Sequence, residues 1–316
     1  MNQQSKKNLT NRIVALAGIT VFAFFIGIYV CVFSNYLTKY NTRKKLFGAT
    51  YMTMNNEFYK IVNNQIRMQV EKNGDQMITL DPALDQKKQN EQIKQLVKRK
   101  VDAIFLNPVD WKAVEPGLVA AKKAKIPVIV IDSQVYRNDL VAMTIVSDNY
   151  KAGVLCAKEM MKQKDQANII LLTHNAAKSA VDRINGFLDT IKGHDAYQVV
   201  DCKDCLGQTE LSMPQVESVI NSAESFDTVM ALNDQVAIGA LAAIENMGLT
   251  DTVKIYGVDG SPDMKTLLAT TSSIQATIAQ SPITIGEKAI QAGYQLDKGK
   301  KGFCCKVLNL LSNKVE

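Results

Sequence analysis

Apolar positions along the chain fall into two patterns. The first is continuous: Ile13–Phe33 is a run of 21 residues with no charge and no proline, whose only polar members are Thr20 and the weakly polar Tyr29 and Cys31. About 20 such residues in a helix cross a hydrocarbon layer of roughly 30 Å, so the run predicts a membrane-spanning helix. A cleaved signal peptide is the alternative; its apolar region is usually about 7–15 residues long and ends in a small-x-small cleavage site, and neither feature stands out here. A lipoprotein signal would place a small residue before its cysteine, whereas Ile28-Tyr29-Val30 precede Cys31. An uncleaved anchor is the expectation.

From Lys45 onward the pattern is periodic. Short β-branched runs, among them Leu46–Tyr51, Asp75–Leu80, Ala103–Leu106, Val128–Ile131, Ile169–Leu172, Thr228–Ala231 and Lys254–Val258, read as strands. Longer stretches with apolar residues at three-and-four spacing stand between them: Asn56–Asn73, Asp85–Lys100, Trp111–Lys125, Asn149–Gln163, Val181–Ile191, Pro214–Ala223, Asp234–Met247 and Pro282–Leu296. Asp85, Asp110 and Ser281-Pro282 suit helix starts. This alternation predicts an α/β protein with parallel sheets. About ten such units are too many for one sheet, so two similar lobes are expected, dividing near Ser147-Asp148-Asn149. No Gly/Ser-rich linker separates them, which predicts several short crossings rather than two beads on a string.

Charge sharpens the first pattern. The chain has 316 residues, with 37 Lys+Arg against 31 Asp+Glu. Seven of the bases (Lys6, Lys7, Arg12, Lys39, Arg43, Lys44, Lys45) lie in residues 1–45, which contain no acid; 30 bases against 31 acids remain, a net charge of −1. The basicity therefore flanks the apolar run and no nucleic-acid partner is expected. With three bases on one side and four on the other, counting charges does not orient the span. At 47% hydrophobic and 22% charged the chain is not disordered, and six Cys are too few for a disulfide scaffold.

Ligands of open α/β sheets sit beyond the carboxyl ends of the strands. Those positions read Asn55-Asn56-Glu57-Phe58-Tyr59, Asn107-Pro108-Val109-Asp110, Asp132-Ser133-Gln134, Asn233-Asp234, Asp259-Gly260 and Ala279-Gln280. Carboxylates and amides recur there beside an aromatic pair. Planar polar groups can each address two neighbouring hydroxyls, and aromatic faces suit the C–H faces of a sugar ring. The set fits a neutral polyol.

The same segments, together with Val101-Asp102-Ala103-Ile104, Ile126–Asp132, Ser147-Asp148-Asn149, Arg183-Ile184-Asn185-Gly186-Phe187, Gly257–Asp263 and Ile278-Ala279-Gln280, resemble the ribose-binding branch of the periplasmic sugar-binding proteins. The resemblance runs in order from about Lys45 to the C-terminus. It implies two Rossmann-like lobes joined by a three-crossing hinge and closing on a sugar. Asn56, Phe58, Tyr59, Asp132, Arg183, Asn233, Asp259 and Gln280 match family sugar contacts, and Ser133 follows Asp132 where ribose binders carry Arg. An aromatic contact expected near Cys205–Gly207 is also missing, so the resemblance implies the sugar class and leaves the sugar open.

The expected organisation is a cytoplasmic tail at 1–12, a transmembrane anchor at 13–33 and a basic linker at 34–45. An N-terminal lobe of 46–147 plus 281–309 and a C-terminal lobe of 148–280 plus 310–316 follow. Their crossings are expected near Val146–Asp148, Ala279–Ser281 and Asn309–Ser312. The apolar run predicts a single-pass protein of the cell membrane, and the resemblance implies a binding domain on the extracytoplasmic side that presents sugar to an ABC transporter permease. A sensor subunit regulating a histidine kinase or chemoreceptor is the alternative. A repressor of the same architecture would need a helix-turn-helix where this chain has its apolar run.

Each site residue also has a plainer reading. Asp132 and Asp259 could cap following helices, Arg183 could be a surface base, and one of the adjacent Phe58 and Tyr59 could face the core. Asn233 is expected as the ligand contact and Asp234 as the helix cap. Trp111 reads as packing. Cys202-Lys203-Asp204-Cys205 has the spacing of a metal or redox pair, but zinc usually takes four ligands and the only histidines are His174 and His194. Only a coincidence of folding would bring in Cys304-Cys305, so no metal is expected, and a local disulfide or free thiols remain open. No dinucleotide, P-loop, serine-hydrolase or zinc-protease motif occurs, so neither a cofactor nor an enzymatic activity is expected.

Overall fold

The computed structural model describes residues 3–40, 43–222, 225–297, 306–310 and 314–315, with side chains for 16–34, 43–222 and 225–296. The chain divides into two units, Met1–Lys44 and Lys45–Glu316.

The first unit is one helix, α1 (Gln3–Tyr40). Within it Leu16–Ser34, 19 residues with a mean hydropathy of 2.5, is long and apolar enough to cross a membrane. The Thr20 hydroxyl donates to the carbonyls of Leu16 and Ala17, so this polar group is satisfied inside its own helix.

The second unit alternates strand and helix: β1 (Leu46–Thr50), α2 (Glu57–Lys72), β2 (Gln76–Leu80), α3 (Gln86–Lys98), β3 (Ala103–Leu106), α4 (Glu115–Lys123), β4 (Val128–Ile131) and β5 (Met143–Ser147). Then come α5 (Asn149–Gln163), β6 (Ala167–Thr173), α6 (Lys178–Ile191), β7 (Tyr197–Asp204), α7 (Thr209–Asn221), β8 (Thr228–Ala231) and α8 (Asp234–Asn246). The chain continues through β9 (Lys254–Asp259), α9 (Pro262–Thr270), β10 (Ile274–Ala279), α10 (Pro282–Asp297), β11 (Lys306–Leu310) and β12 (Lys314–Val315). One sheet has the order β11-β5-β4-β3-β1-β2 and the other β12-β10-β9-β8-β6-β7. All pairings are parallel except β12 with β10. This is the expected α/β class, a pair of lobes each built on five parallel strands plus one late addition.

Helices cover both faces of each sheet, so β3, β4 and β8 are buried along their whole length. Ile104, Leu106, Val128 and Val130 pack with Ile93, Leu96 and Leu118. On the opposite face Phe47, Phe105, Ile129 and Ile131 pack with Val62, Ile66 and Ile285.

Several boundaries differ from expectation for local reasons. The helix expected from Trp111 begins at Glu115, because the Asp110 carboxylate takes the amides of Lys112 and Ala113 in a preceding turn and Pro116 enters the first helical turn. Helix α7 starts at Thr209 and carries Pro214 in its interior. Strand β7 is a half-exposed edge strand whose Gln198, Asp201 and Lys203 hide it from any search for apolar runs. Between β4 and β5 the connection is a short 3-10 turn, Asn138–Leu140, instead of a helix.

The chain passes between sheets from β5 into α5 and from β10 into α10. Residues 311 and 312 of the expected third crossing, and Cys304-Cys305, lie outside the described residues. Cys202 and Cys205 are free thiols.

Candidate functional site

The carboxyl ends of the two sheets face a narrow cavity of about 20 Å³, room for about one water as it stands. Seven residues singled out from the sequence line it: Asn56, Phe58, Tyr59, Asp132, Arg183, Asn233 and Asp259.

At the centre stands Arg183, only 4% exposed, which excludes the surface-base reading. It projects from α6, and that helix is fixed by close contact with α5. A Cβ on Gly153 would lie 1.8 Å from the Arg183 carbonyl oxygen, and one on Gly186 would lie 2.0 Å from the carbonyl oxygen of Tyr150. Only glycine permits this approach. The Arg183 Nε donates to Asn149 Oδ1 at 2.9 Å and a terminal nitrogen donates to the Leu232 carbonyl at 2.8 Å. Asp132 and Asp259 lie 4.0 and 3.6 Å from the guanidinium. Those separations attract without being hydrogen bonds, so the three charged groups retain capacity for a third party.

Both carboxylates sit on backbone that L-residues rarely adopt, with φ of 66° at Asp132 and 140° at Asp259. Such strain costs about 1–3 kcal/mol and persists where the surroundings over-determine it, frequently at functional sites. Neither residue caps a helix. Ser261 caps α9 through Met264 N, and no helix follows Asp132 directly. Asp132 Oδ2 accepts from the Tyr59 hydroxyl at 3.2 Å and from Asn107 Nδ2 at 3.4 Å. Asp259 Oδ1 accepts from Gln280 Nε2 at 2.6 Å. Burial raises the pKa of both carboxyls against the pull of Arg183, pushing Asp259 up to about 8.

The structure corrects several expectations. Phe58 and Tyr59 both line the cavity, edge to face at 5.7 Å, so the plainer reading that turns one of them into the core does not hold. They lie in the first turn of α2, and the Tyr59 hydroxyl reaches across to β4. Asn233, not Asp234, caps α8, its Oδ1 accepting from Val236 N at 2.9 Å while its Nδ2 donates to the Gly207 carbonyl. Asp234 is a buried brace that accepts from Ser261 N and Thr277 Oγ1 at 2.7 Å each. Ser133 is outside the lining; its hydroxyl accepts from Ser179 N at 3.2 Å. Gln280 opens onto an adjoining space of about 60 Å³ that shares Asn56, Phe58 and Asp259 with the main cavity. Trp111 packs against Tyr136 and Lys112, as expected.

The sequence reading missed Met52, His174, Ser179, Gln208 and Leu232 in the lining. His174 immediately follows β6, so the strand-end rule reaches it; Gln208 follows β7, the strand with no apolar run. Among the described residues no cluster of His, Cys, Asp or Glu suits a metal ion.

A ribose import binding protein of Salmonella typhimurium is 29% identical over 260 residues, covering 82% of this chain and 86% of the relative. The galactofuranose-binding protein of Escherichia coli is 33% identical over 214 residues, covering 64% and 66%. An ABC transporter solute binding protein from Agrobacterium vitis, solved with bound D-fucose, superposes with a TM-score of 0.78 at 26% identity, covering 84% of this chain and 92% of its own. The model of the periplasmic binding protein domain matches residues 47–301, and the chain belongs to that family.

Proposed function

We propose that this protein is a membrane-anchored extracytoplasmic receptor that closes its two lobes on a monosaccharide or similar polyol and presents it to a sugar ABC transporter. The observation that carries the reading is the buried Asp132–Arg183–Asp259 group beside Phe58 and Tyr59. One guanidinium and two carboxylates can exchange hydrogen bonds with several adjacent hydroxyls, and the aromatic pair gives a C–H face a surface to lie on. An anionic ligand fits less well, because the cavity's two acids, Asp132 and Asp259, outnumber its one arginine. The relatives are named as sugar-import and sugar-binding proteins, which supports a receptor rather than an enzyme.

The lobes close by hinge motion, because a ligand bridging both binds the closed form better and shifts the population toward it. Helix α1 supplies the anchor, through the apolar stretch Leu16–Ser34. The same tether supports a second reading, a sensor subunit for a histidine kinase or chemoreceptor, since it confines the receptor to partners in the same membrane. The two differ only in the partner that reads the closed surface.

A thermal-shift screen of the full chain in detergent against pentoses, hexoses, inositols and short polyols tests the ligand class. A ligand at 100 times its Kd stabilises by about 2.7 kcal/mol, an upward shift of several degrees. No shift with any member contradicts the proposal.

A further inference from the structure

The cavity wall supplied by the second lobe is polar where the first lobe's wall is aromatic. His174, Ser179 and Gln208 line it, 3%, 6% and 5% exposed respectively. The loop after β6, the start of α6 and the loop before α7 bring them together. Among the described residues, the His174 ring makes no hydrogen bond. The Ser179 hydroxyl makes none, its backbone N–H being the group bonded to Ser133. Gln208 donates Nε2 to the Leu206 carbonyl at 3.4 Å, leaving Oε1 without a donor. None of these atoms is sealed in protein; they open onto the cavity.

Gly207 adjoins this wall. Its φ of 71° disfavours any side chain, and a Cβ there would stand 3.4 Å from Asn233 Nδ2 and 3.7 Å from His174 Nδ1, in contact with the imidazole edge that the glycine leaves open. Burial lowers the His174 pKa, with Asp204 and then Asp110 acting against it. The neutral imidazole keeps one donor and one acceptor. Beside it a hydroxyl and an amide oxygen add a donor and two kinds of acceptor, the complement of a hydroxyl group rather than of an ion.

We infer that His174, Ser179 and Gln208 form a specificity wall that selects a ring polyol bearing an axial hydroxyl on the face opposite the one laid on Phe58 and Tyr59. On a chair, equatorial hydroxyls lie near the ring plane, within reach of groups such as Asp132, Arg183 and Asp259. An axial hydroxyl projects from a face and meets whatever stands there. A ring with C–H on both faces would leave the three polar side chains desolvated and unpaired, which is the arrangement that makes hydrogen-bonding sites selective. This inference rests on the polyol-receptor reading and adds the stereochemistry of the ligand to it.

The test compares epimers on the full chain in detergent by calorimetric titration: the methyl β-pyranosides of D-galactose and D-allose, each against that of D-glucose, and myo-inositol against scyllo-inositol. In at least one pair the member with the axial hydroxyl binds about ten-fold or more tighter. His174→Leu and Ser179→Ala each shrink that ratio several-fold. Because the ratio is taken within one variant, a loss of folded protein cancels, and Ser179→Ala removes a single oxygen. Binding of these polyols with no epimer preference, or a preference unchanged in both variants, overturns the specificity wall and leaves the receptor reading standing. Binding of none of them overturns both.

Discussion

The two acids of the cavity are held in an environment that resists their charge. Asp259 is raised from 3.8 to about 8 because burial outweighs the attraction of Arg183, with Asp234 and Asp132 adding to the rise. A carboxyl whose folded-state pKa exceeds its unfolded value contributes stability that is fully present below about 3.8 and is lost as the pH rises through about 8. The empty receptor should therefore lose thermal stability between about pH 4 and 8, with little further loss from this group above that. Ligand hydroxyls donate to the ionised carboxylate and favour it, so binding expels the proton. At pH 7 the binding enthalpy should vary with the ionisation enthalpy of the buffer, and affinity should weaken as the pH falls from 8 to 6. An enthalpy independent of buffer contradicts this assignment. Much of the site could be read at this scale from residues following strands: Asn56, Asp132, Asn233 and Asp259 all sit there. What could not be read was conformation and division of labour. Positive φ at two aspartates leaves no mark in residue type, and Asn233-Asp234 reads equally well whichever of the two is the cap.

Among the elements, the α5–α6 pair matters most, because it sets the position of Arg183. Both helices were legible from apolar spacing, but the glycine contact between them was not, since Gly153 and Gly186 meet only after folding. Gly153→Ala forces a Cβ into a backbone carbonyl and should destabilise by about 1–3 kcal/mol, lowering Tm by several degrees in thermal denaturation. It should weaken polyol binding as well, by displacing α6. An unchanged Tm would show that the helices can part freely. Strands β3, β4 and β8 announced themselves as uninterrupted apolar runs because both faces of their sheets are covered. Edge strand β7 did not, and with it went the residues behind it, Gly207 and Gln208. The helix-free connection after β4 leaves Asp132 without a helix to cap.

Across the whole molecule the two sheets meet through contacts at the mouth of the cleft as well as through the cavity. Asn55 Nδ2 donates to Glu210 Oε1 at 3.2 Å, and Trp111 N donates to the Ala176 carbonyl at 3.0 Å, each joining one lobe to the other. If the closed form retains the ligand, Asn55→Ala should raise the rate of ligand release about two- to ten-fold, the worth of one hydrogen bond, with little change in association, as read by stopped-flow fluorescence. The central claim is that a neutral polyol is held between the lobes by Asp132, Arg183 and Asp259. Calorimetric titration of the full chain and of Arg183→Ala with the polyol that stabilises the protein most tests it directly. The expected result is one-to-one binding by the unaltered chain and a loss of 100-fold or more in the variant, whose two buried carboxylates have lost their shared partner. Equal affinity in the two proteins would contradict the claim.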